Sequence, residues 1–262
     1  MILRRVIAHF KKQEWTAIGL DFLIVIFGVF IGIQVSNWNA EQADKRLGRT
    51  YAERLIVDLR KDLSMRGALV DYYSAVLNSV ERTNALLADP HADPRELVIN
   101  AYRASENNFV PQTRATWDEI VSSGNTALLP GAAVAIGVGD YFADDTARTS
   151  LNSLTVSAYR HRVRKIIPLE LQQALRAGCS DRRNEAQEIT GFMEDCVIEI
   201  DDAMIEATAA ALRADAEVAA ELRYQYSDVF TARANISGDL VFLARAIDAL
   251  GSSSLASAEL AK

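Results

Sequence analysis

Histidine, cysteine and proline are scarce in this sequence, and each scarcity closes off a class of function. The three histidines, His9, His91 and His161, form no H-E-x-x-H and no pair at helical spacing. With only two cysteines there is no Cys/His ligand cluster either, so no metal site is expected. No G-x-S-x-G elbow is present, and Gly137-Val138-Gly139 lacks both the third glycine and the preceding strand of a dinucleotide loop. A Ser-His-Asp arrangement built from distant residues stays open, but nothing local announces one, and no cofactor signal is found. Five prolines and thirteen glycines are too few for a linker-rich or disordered chain. Nor does any stretch alternate apolar and polar residues convincingly with a period of two, which argues against strands. The acidic pairs Asp144-Asp145 and Asp201-Asp202 read as solvated helix faces or caps. The expectation is an all-α protein that is not an enzyme.

Positive charge is also in short supply beyond the first 38 residues. Residues 1–38 hold Arg4, Arg5, Lys11 and Lys12 against Glu14 and Asp21, a net of +2 within a chain of formal charge −7. The remainder carries 24 basic against 33 acidic side chains. Nucleic acid is therefore not an expected partner, because phosphate binding needs clustered positive charge. One dense basic run interrupts the acidic background: Arg160, His161, Arg162, Arg164 and Lys165. Such a run either docks an anionic partner or headgroup, or is a helix face paired with the many carboxylates around it.

What the sequence does contain is a long apolar run. From Ala17 to Val35 only Asp21 and Gln34 are strongly polar among nineteen positions. As a helix the run covers about 28 Å, close to the ~30 Å hydrocarbon thickness of a bilayer. Trp15 and Trp38 bracket it, as indoles do at headgroup level. A cleaved signal peptide would have a shorter apolar region and a small-x-small site, whereas a cut after Ala40 would place Trp38 at the −3 position. The reading is a transmembrane helix over residues 15–38 that follows a cytoplasmic stub, residues 1–14. The near flank is the more basic, with Lys45, Arg46 and Arg49 lying further from the far end, so the N-terminus is expected to stay in the cytoplasm. Within the span Asp21, Val25, Gly28, Gly32 and Val35 follow spacings of 4, 3, 4 and 3 and so share one stripe, which includes a G-x-x-x-G. That stripe either packs against another span or a second copy of itself, or is a lipid-facing helix whose Asp21 sits about 9 Å inside Trp15 and is solvated locally.

After Trp38 the pattern is helical. Leu47, Tyr51, Leu55, Leu59 and Leu63 recur every four residues, and Val70, Tyr73, Leu77 and Val80 extend a stripe towards Ala88, where Asp89-Pro90 stops it. A helix is expected from Pro94 to Asn107, and another from an N-cap at Thr116 to Ser122, with Glu119 closing a capping box and Gly124-Asn125 ending it. A segment from Pro130 leads into a helix over residues 146–177 that Pro168 must kink or break. Ile189, Met193, Cys196, Ile200, Ala203 and Ala207 alternate spacings of four and three, which predicts a bundle helix, and Ile236, Leu240, Leu243, Ile247 and Leu250 repeat the pattern. The expected organisation is a helical bundle over residues 39–250 and a flexible tail over 251–262.

Cys179 falls at a predicted helix end and Cys196 on the following apolar seam. In an oxidising compartment a helical hairpin brings such residues together as a structural disulfide; the alternative is two separate thiols. Trp117, Asp118, Glu119 and Ser123 put an aromatic beside two carboxylates in a short helix, which either lines a small-ligand pocket or anchors and caps the helix.

Two stretches resemble a known group. The first is Ala17–Glu41, with its early acidic residue, Gly28 and Gly32, and the exit Gln34-Val35-Ser36-Asn37-Trp38-Asn39. The second is Thr116-Trp117-Asp118-Glu119-Ile120-Val121-Ser122-Ser123-Gly124-Asn125, then Leu128-Leu129, then Asp140-Tyr141-Phe142. Both are similar to the bacterial single-span proteins of domain-of-unknown-function family 6090. The resemblance implies a Gram-negative cell-envelope protein and brings with it no catalytic residues. The functional expectation is a membrane-tethered, non-enzymatic protein-interaction, accessory or sensory module with a membrane-protein partner or a homodimer through the span; the alternative is a periplasmic ligand binder or enzyme with a pocket near Trp117–Glu119.

Overall fold

A computed structural model describes residues 15–143 and 146–259 of the chain. The stub at 1–14 and the pair Asp144-Asp145 lie outside the described residues. The chain separates into two units, residues 1–51 and 52–262. Helix α1, Trp15–Ala88, begins in the first and ends in the second. No proline occurs before Pro90, so nothing removes a backbone donor along its length. Within the first unit the apolar run is one continuous helix face-to-face with solvent on every side: Leu20, Phe22, Ile24, Phe27, Phe30 and Ile33 are all exposed. None of its most apolar window is buried. It is the one helix among the described residues long and apolar enough to cross a membrane.

In the second unit the buried positions of α1 include Leu55, Leu59, Asp62, Arg66, Leu69, Tyr73, Val76, Val80 and Thr83, which alternate spacings of four and three, with Ala52, Ala68, Tyr72, Leu77, Ser79 and Leu86 buried beside them. This is the seam of two helices packing along their length. It differs from the expected stripe at every fourth residue. A strict spacing of four advances about 40° per step and leaves the face within a few turns. Leu47 is accordingly exposed and Leu63 half-buried, while Asp62 and Arg66 take the core. Helix α10, Ala216–Glu259, mirrors the seam with Val218, Leu222, Gln225, Val229, Ala232 and Ile236, then Leu243, Ala246 and Leu250. It continues through residues that the sequence assigns to the tail. Arg66 Nε lies 3.3 Å from Asp239 and Arg233 Nε donates to Ser74 Oγ at 2.8 Å, so α1 and α10 run antiparallel.

Shorter helices cover this pair: α2 (Pro94–Arg103), α3 (Ala115–Ser122), α4 (Gly131–Ala135), α5 (Val138–Ala143), α6 (Thr146–Thr155), α7 (Ala158–Ile166), α8 (Leu169–Gly178) and α9 (Asp202–Ala214). Three of these starts, those of α2, α7 and α9, carry side-chain caps. Asp93 accepts from Arg95 N at 2.9 Å with Pro94 in the first turn, Ser157 from Arg160 N at 3.1 Å, and Asp201 from Ala203 N at 3.0 Å. Pro168 divides α7 from α8, and Ser157 adds a break that the continuous 146–177 helix lacks. Two cores result. One joins the end of α1 to α2, α7, α8, α9 and the start of α10 through Leu97, Tyr159, Leu171, Ile205 and Leu222. The other joins the middle of α1 to α6 and α10 through Leu69, Tyr73, Leu151, Phe192 and Ile236.

Two expectations are corrected. Thr116 is not an N-cap: α3 starts at Ala115 after Arg114, and Thr116 is buried with its backbone N–H donated to Asp58 Oδ2 at 3.2 Å. The helix expected over 189–207 does not form. Strands β1, Asp181–Arg183, and β2, Ile189–Phe192, pair antiparallel with a bulge between Arg182 and Arg183, and helix begins only at Asp202. The turn is fixed by Asn184, whose Oδ1 accepts from Glu188 N at 2.9 Å, with Gln187 at φ 64°.

Candidate functional site

The stripe Asp21, Val25, Gly28, Gly32 lies along the exposed apolar part of α1. A Cβ placed on Gly28 or Gly32 would meet nothing within 4 Å, so no part of the described chain covers them, and two glycines four apart leave the helix backbone shallow on that stripe.

Trp117, Asp118, Glu119 and Ser123 are drawn into local packing. The Trp117 ring stacks on Phe142 with centroids 5.0 Å apart, and a Cβ on Gly139 would come within 3.2 Å of it. Asp118 pairs with Arg114 at 3.1 Å, while Glu119 receives both terminal nitrogens of Arg54, at 3.1 and 2.6 Å. That bidentate hydrogen bond holds the Glu119 carboxyl below the usual carboxylate range. Ser123 Oγ donates to Ile120 O at 3.2 Å.

The basic run is mostly neutralised. Arg162 bridges Asp215 at 3.0 Å and Glu221 at 2.9 Å, and Arg164 pairs with Glu106 at 2.9 Å while stacking 3.5 Å from the centre of the Tyr102 ring. Arg160 donates to Ser105 O, with Glu106 further off at 3.9 Å. Lys165 remains exposed. Arg162 and Arg164 are thus paired with carboxylates, which fastens α7 to the segment after α2 and to α10.

Cys179 and Cys196 are joined as a disulfide closing a separation of 17 residues. Cys196 sits in irregular chain, not on a helical seam. The neighbouring crossing is tight. Val197 N donates to Gly178 O at 3.2 Å, and a Cβ on Gly178 would lie 1.7 Å from Val197 O, so only glycine fits.

Beside this staple lies a cavity of about 350 Å³ bounded by α2, α8 and the hairpin. Tyr102, Arg103, Glu106, Asn107, Arg160 and Arg176 form its polar side. Tyr72 and Phe192, ring centroids 5.5 Å apart, form an apolar side with Ile189 and Leu175. The Tyr102 hydroxyl, Arg103 Nε and Asn107 Nδ2 are buried, none with a partner at full hydrogen-bonding distance and angle, and Arg176 approaches the Tyr102 oxygen as a cation and donor, leaving the phenol proton without an acceptor. Burial lowers the affinity of Arg103 for its proton, and burial together with Arg164 does the same for Arg160. Asp181 at the mouth is raised by burial and then by Glu106.

A second cluster escaped the sequence reading. Asp62 Oδ1 accepts from Thr113 N and Asp62 Oδ2 from the Tyr141 hydroxyl, both at 2.9 Å. Arg66 Nη1 donates to Val110 O at 3.3 Å beside its pair with Asp239. Burial, then Asp62, pushes the Tyr141 hydroxyl well above the usual range. The heptad spacing of 62 and 66 with Leu59 and Leu69 was the available signal, masked because both residues are charged. Among the described residues, no three His, Cys, Asp or Glu side chains converge to hold a metal ion.

Fold and sites together define a mostly helical protein with one exposed, membrane-length apolar helix and a stapled domain containing a polar cavity. Comparison with protein families, with curated proteins and with solved structures finds no match to the chain.

Proposed function

We propose that this chain is a single-pass protein of a bacterial inner membrane whose helical domain works in the periplasm as a non-enzymatic interaction, accessory or sensory module. The observation that carries the reading is the exposed apolar run: Phe22, Val25, Phe27 and Phe30 each keep more than half their surface uncovered. A soluble protein rarely presents so large a contiguous apolar surface, and lipid covers it without a protein partner. The disulfide supports an oxidising compartment for the domain. The basic residues ahead of the span support a cytoplasmic N-terminus. The likeness of Ala17–Glu41 and Thr116–Asn125 to family 6090 supports an envelope location. The open groove at Gly28 and Gly32, with Asp21 on the same stripe, favours a lateral partner, either a second copy or another span.

The test uses the full chain in a Gram-negative host. It should stay with membranes after an alkaline carbonate wash, and a Lys165→Cys variant should react with a membrane-impermeant maleimide in intact spheroplasts. Recovery of the uncut chain in the soluble fraction would sink the anchor; labelling only after lysis would reverse the orientation.

A further inference from the structure

The polar cavity has an uneven inventory of hydrogen-bonding atoms. Tyr102 is 4% exposed, and its hydroxyl, with Arg103 Nε and Asn107 Nδ2, is buried without an acceptor. A guanidinium Nε and an amide Nδ2 can only donate, and a phenol donates readily. Leaving a buried donor unmet is costly, and all three belong to residues that line this cavity, where an entering acceptor relieves them. The other nitrogens of the wall are less available: Arg103 Nη2 donates to Met193 O at 2.6 Å, and Arg160 Nη1 to Ser105 O. A bridging water meets such donors with a neutral oxygen, whereas a carboxylate accepts from several of them at once through stronger, charge-assisted bonds.

Charge narrows the class. Arg103, Arg160 and Arg176 stand on the cavity wall, and Glu106 among them is already engaged by Arg164 at 2.9 Å and approached by Arg176 at 3.7 Å. Asp181 adds one further acid at the mouth. The balance suits a single negative charge and disfavours a dianion such as phosphate, which both acids would repel. The same cavity is also lined by Tyr72, Phe192, Ile189 and Leu175, with the Arg103 guanidinium 5.2 Å from the centre of the Phe192 ring, so apolar surface suited to the body of a small organic molecule lies next to the donors.

We infer that this cavity binds a small organic monocarboxylate, its carboxylate held by Tyr102, Arg103 and Asn107 and its apolar body against Tyr72 and Phe192. The disulfide and the Gly178–Val197 crossing hold the rim, through Cys179, Ser180 and Asp181, in place. All of these residues belong to the unit 52–262, so the inference stands apart from the membrane assignment.

Isothermal titration of the full chain in detergent, with empty micelles as the blank, tests it using phenylacetate, its neutral amide phenylacetamide, and inorganic phosphate. Phenylacetate should bind saturably at one site, with phenylacetamide and phosphate each at least about tenfold weaker. Arg103→Met should weaken phenylacetate by about tenfold or more, and Tyr102→Phe and Asn107→Ala by several-fold. Arg54→Gln, in the separate pair with Glu119, should change nothing. If circular dichroism shows Arg103→Met to be unfolded, Asn107→Ala, which keeps every arginine, decides. Absence of phenylacetate binding, equal binding of acid and amide, or an unchanged affinity in folded Asn107→Ala and Tyr102→Phe would overturn the inference. Phosphate binding tighter than phenylacetate would replace the carboxylate with an inorganic anion and overturn it as well.

Discussion

Asp62 and Arg66 occupy seam positions that apolar side chains would fill at less desolvation cost. Their partners come from elsewhere in the chain: Thr113 and Tyr141 for Asp62, Val110 and Asp239 for Arg66. Sliding α1 against α10 by one turn would strand these groups in the core, so the cluster fixes the pairing more than it strengthens it. Arg66→Met should lower the unfolding free energy by about 3 kcal/mol, because it removes one member of a buried ion pair. Asp239→Asn should cost less, its side chain being 26% exposed. Urea titration of the two variants checks the order; no loss in Asp239→Asn would show that Val110, rather than Asp239, is the important partner of Arg66. These residues were illegible in the sequence because counting apolar positions skips charges. The arginines of α7 were visible as a group, but only the fold reveals that Glu106, Asp215 and Glu221 meet them.

At the level of elements, most helices could be read from their punctuation. Asp89-Pro90 ends α1, Pro94 opens α2 behind an Asp93 cap, and Pro168 separates α7 from α8. The region from Asp181 to Asp202 could not be read this way. Apolar residues at 189, 193, 196 and 200 matched helical spacing, yet β2 buries Thr190, Gly191 and Phe192 in succession and Asp201 is a cap that starts α9. Short apolar runs are ambiguous between the two periods, and a turn set by Asn184 and a left-handed Gln187 leaves little trace in residue type. The staple compensates for the small contact area of a two-stranded hairpin. Replacing Cys196 with Ser should cost roughly 3 kcal/mol in the chain-entropy model, and reductant should bring the parent to a similar melting temperature. If reduction leaves the transition unmoved, the hairpin region is held by Phe192 and Arg103 instead.

On the scale of the whole molecule, a sequence of acidic, mostly helical character conceals two units that follow different rules. One is a single apolar helix with its surface uncovered; the other buries its own seams and staples its own rim. The apolar helix was legible because membrane length and composition are one-dimensional properties, whereas the cavity draws its donors from α2 and the segment after it and its apolar residues from α1, α8 and β2, and no sequence window contains both. If the groove at Gly28 and Gly32 seats a second helix, replacing both with Ile should reduce association in a two-hybrid reporter of transmembrane contacts several-fold, since bulk there holds backbones apart. Unchanged association would assign the stripe to lipid.

Trp117 is the one indole between residues 52 and 262, the other two lying at positions 15 and 38. Stacked on Phe142 and seated over Gly139, it makes the domain self-reporting: in a Trp15→Phe, Trp38→Phe background, its ultraviolet emission comes solely from the α3–α5 corner. Loosening of the hairpin and cavity would leave that emission unmoved, and a shift to the red would mark the corner itself coming apart.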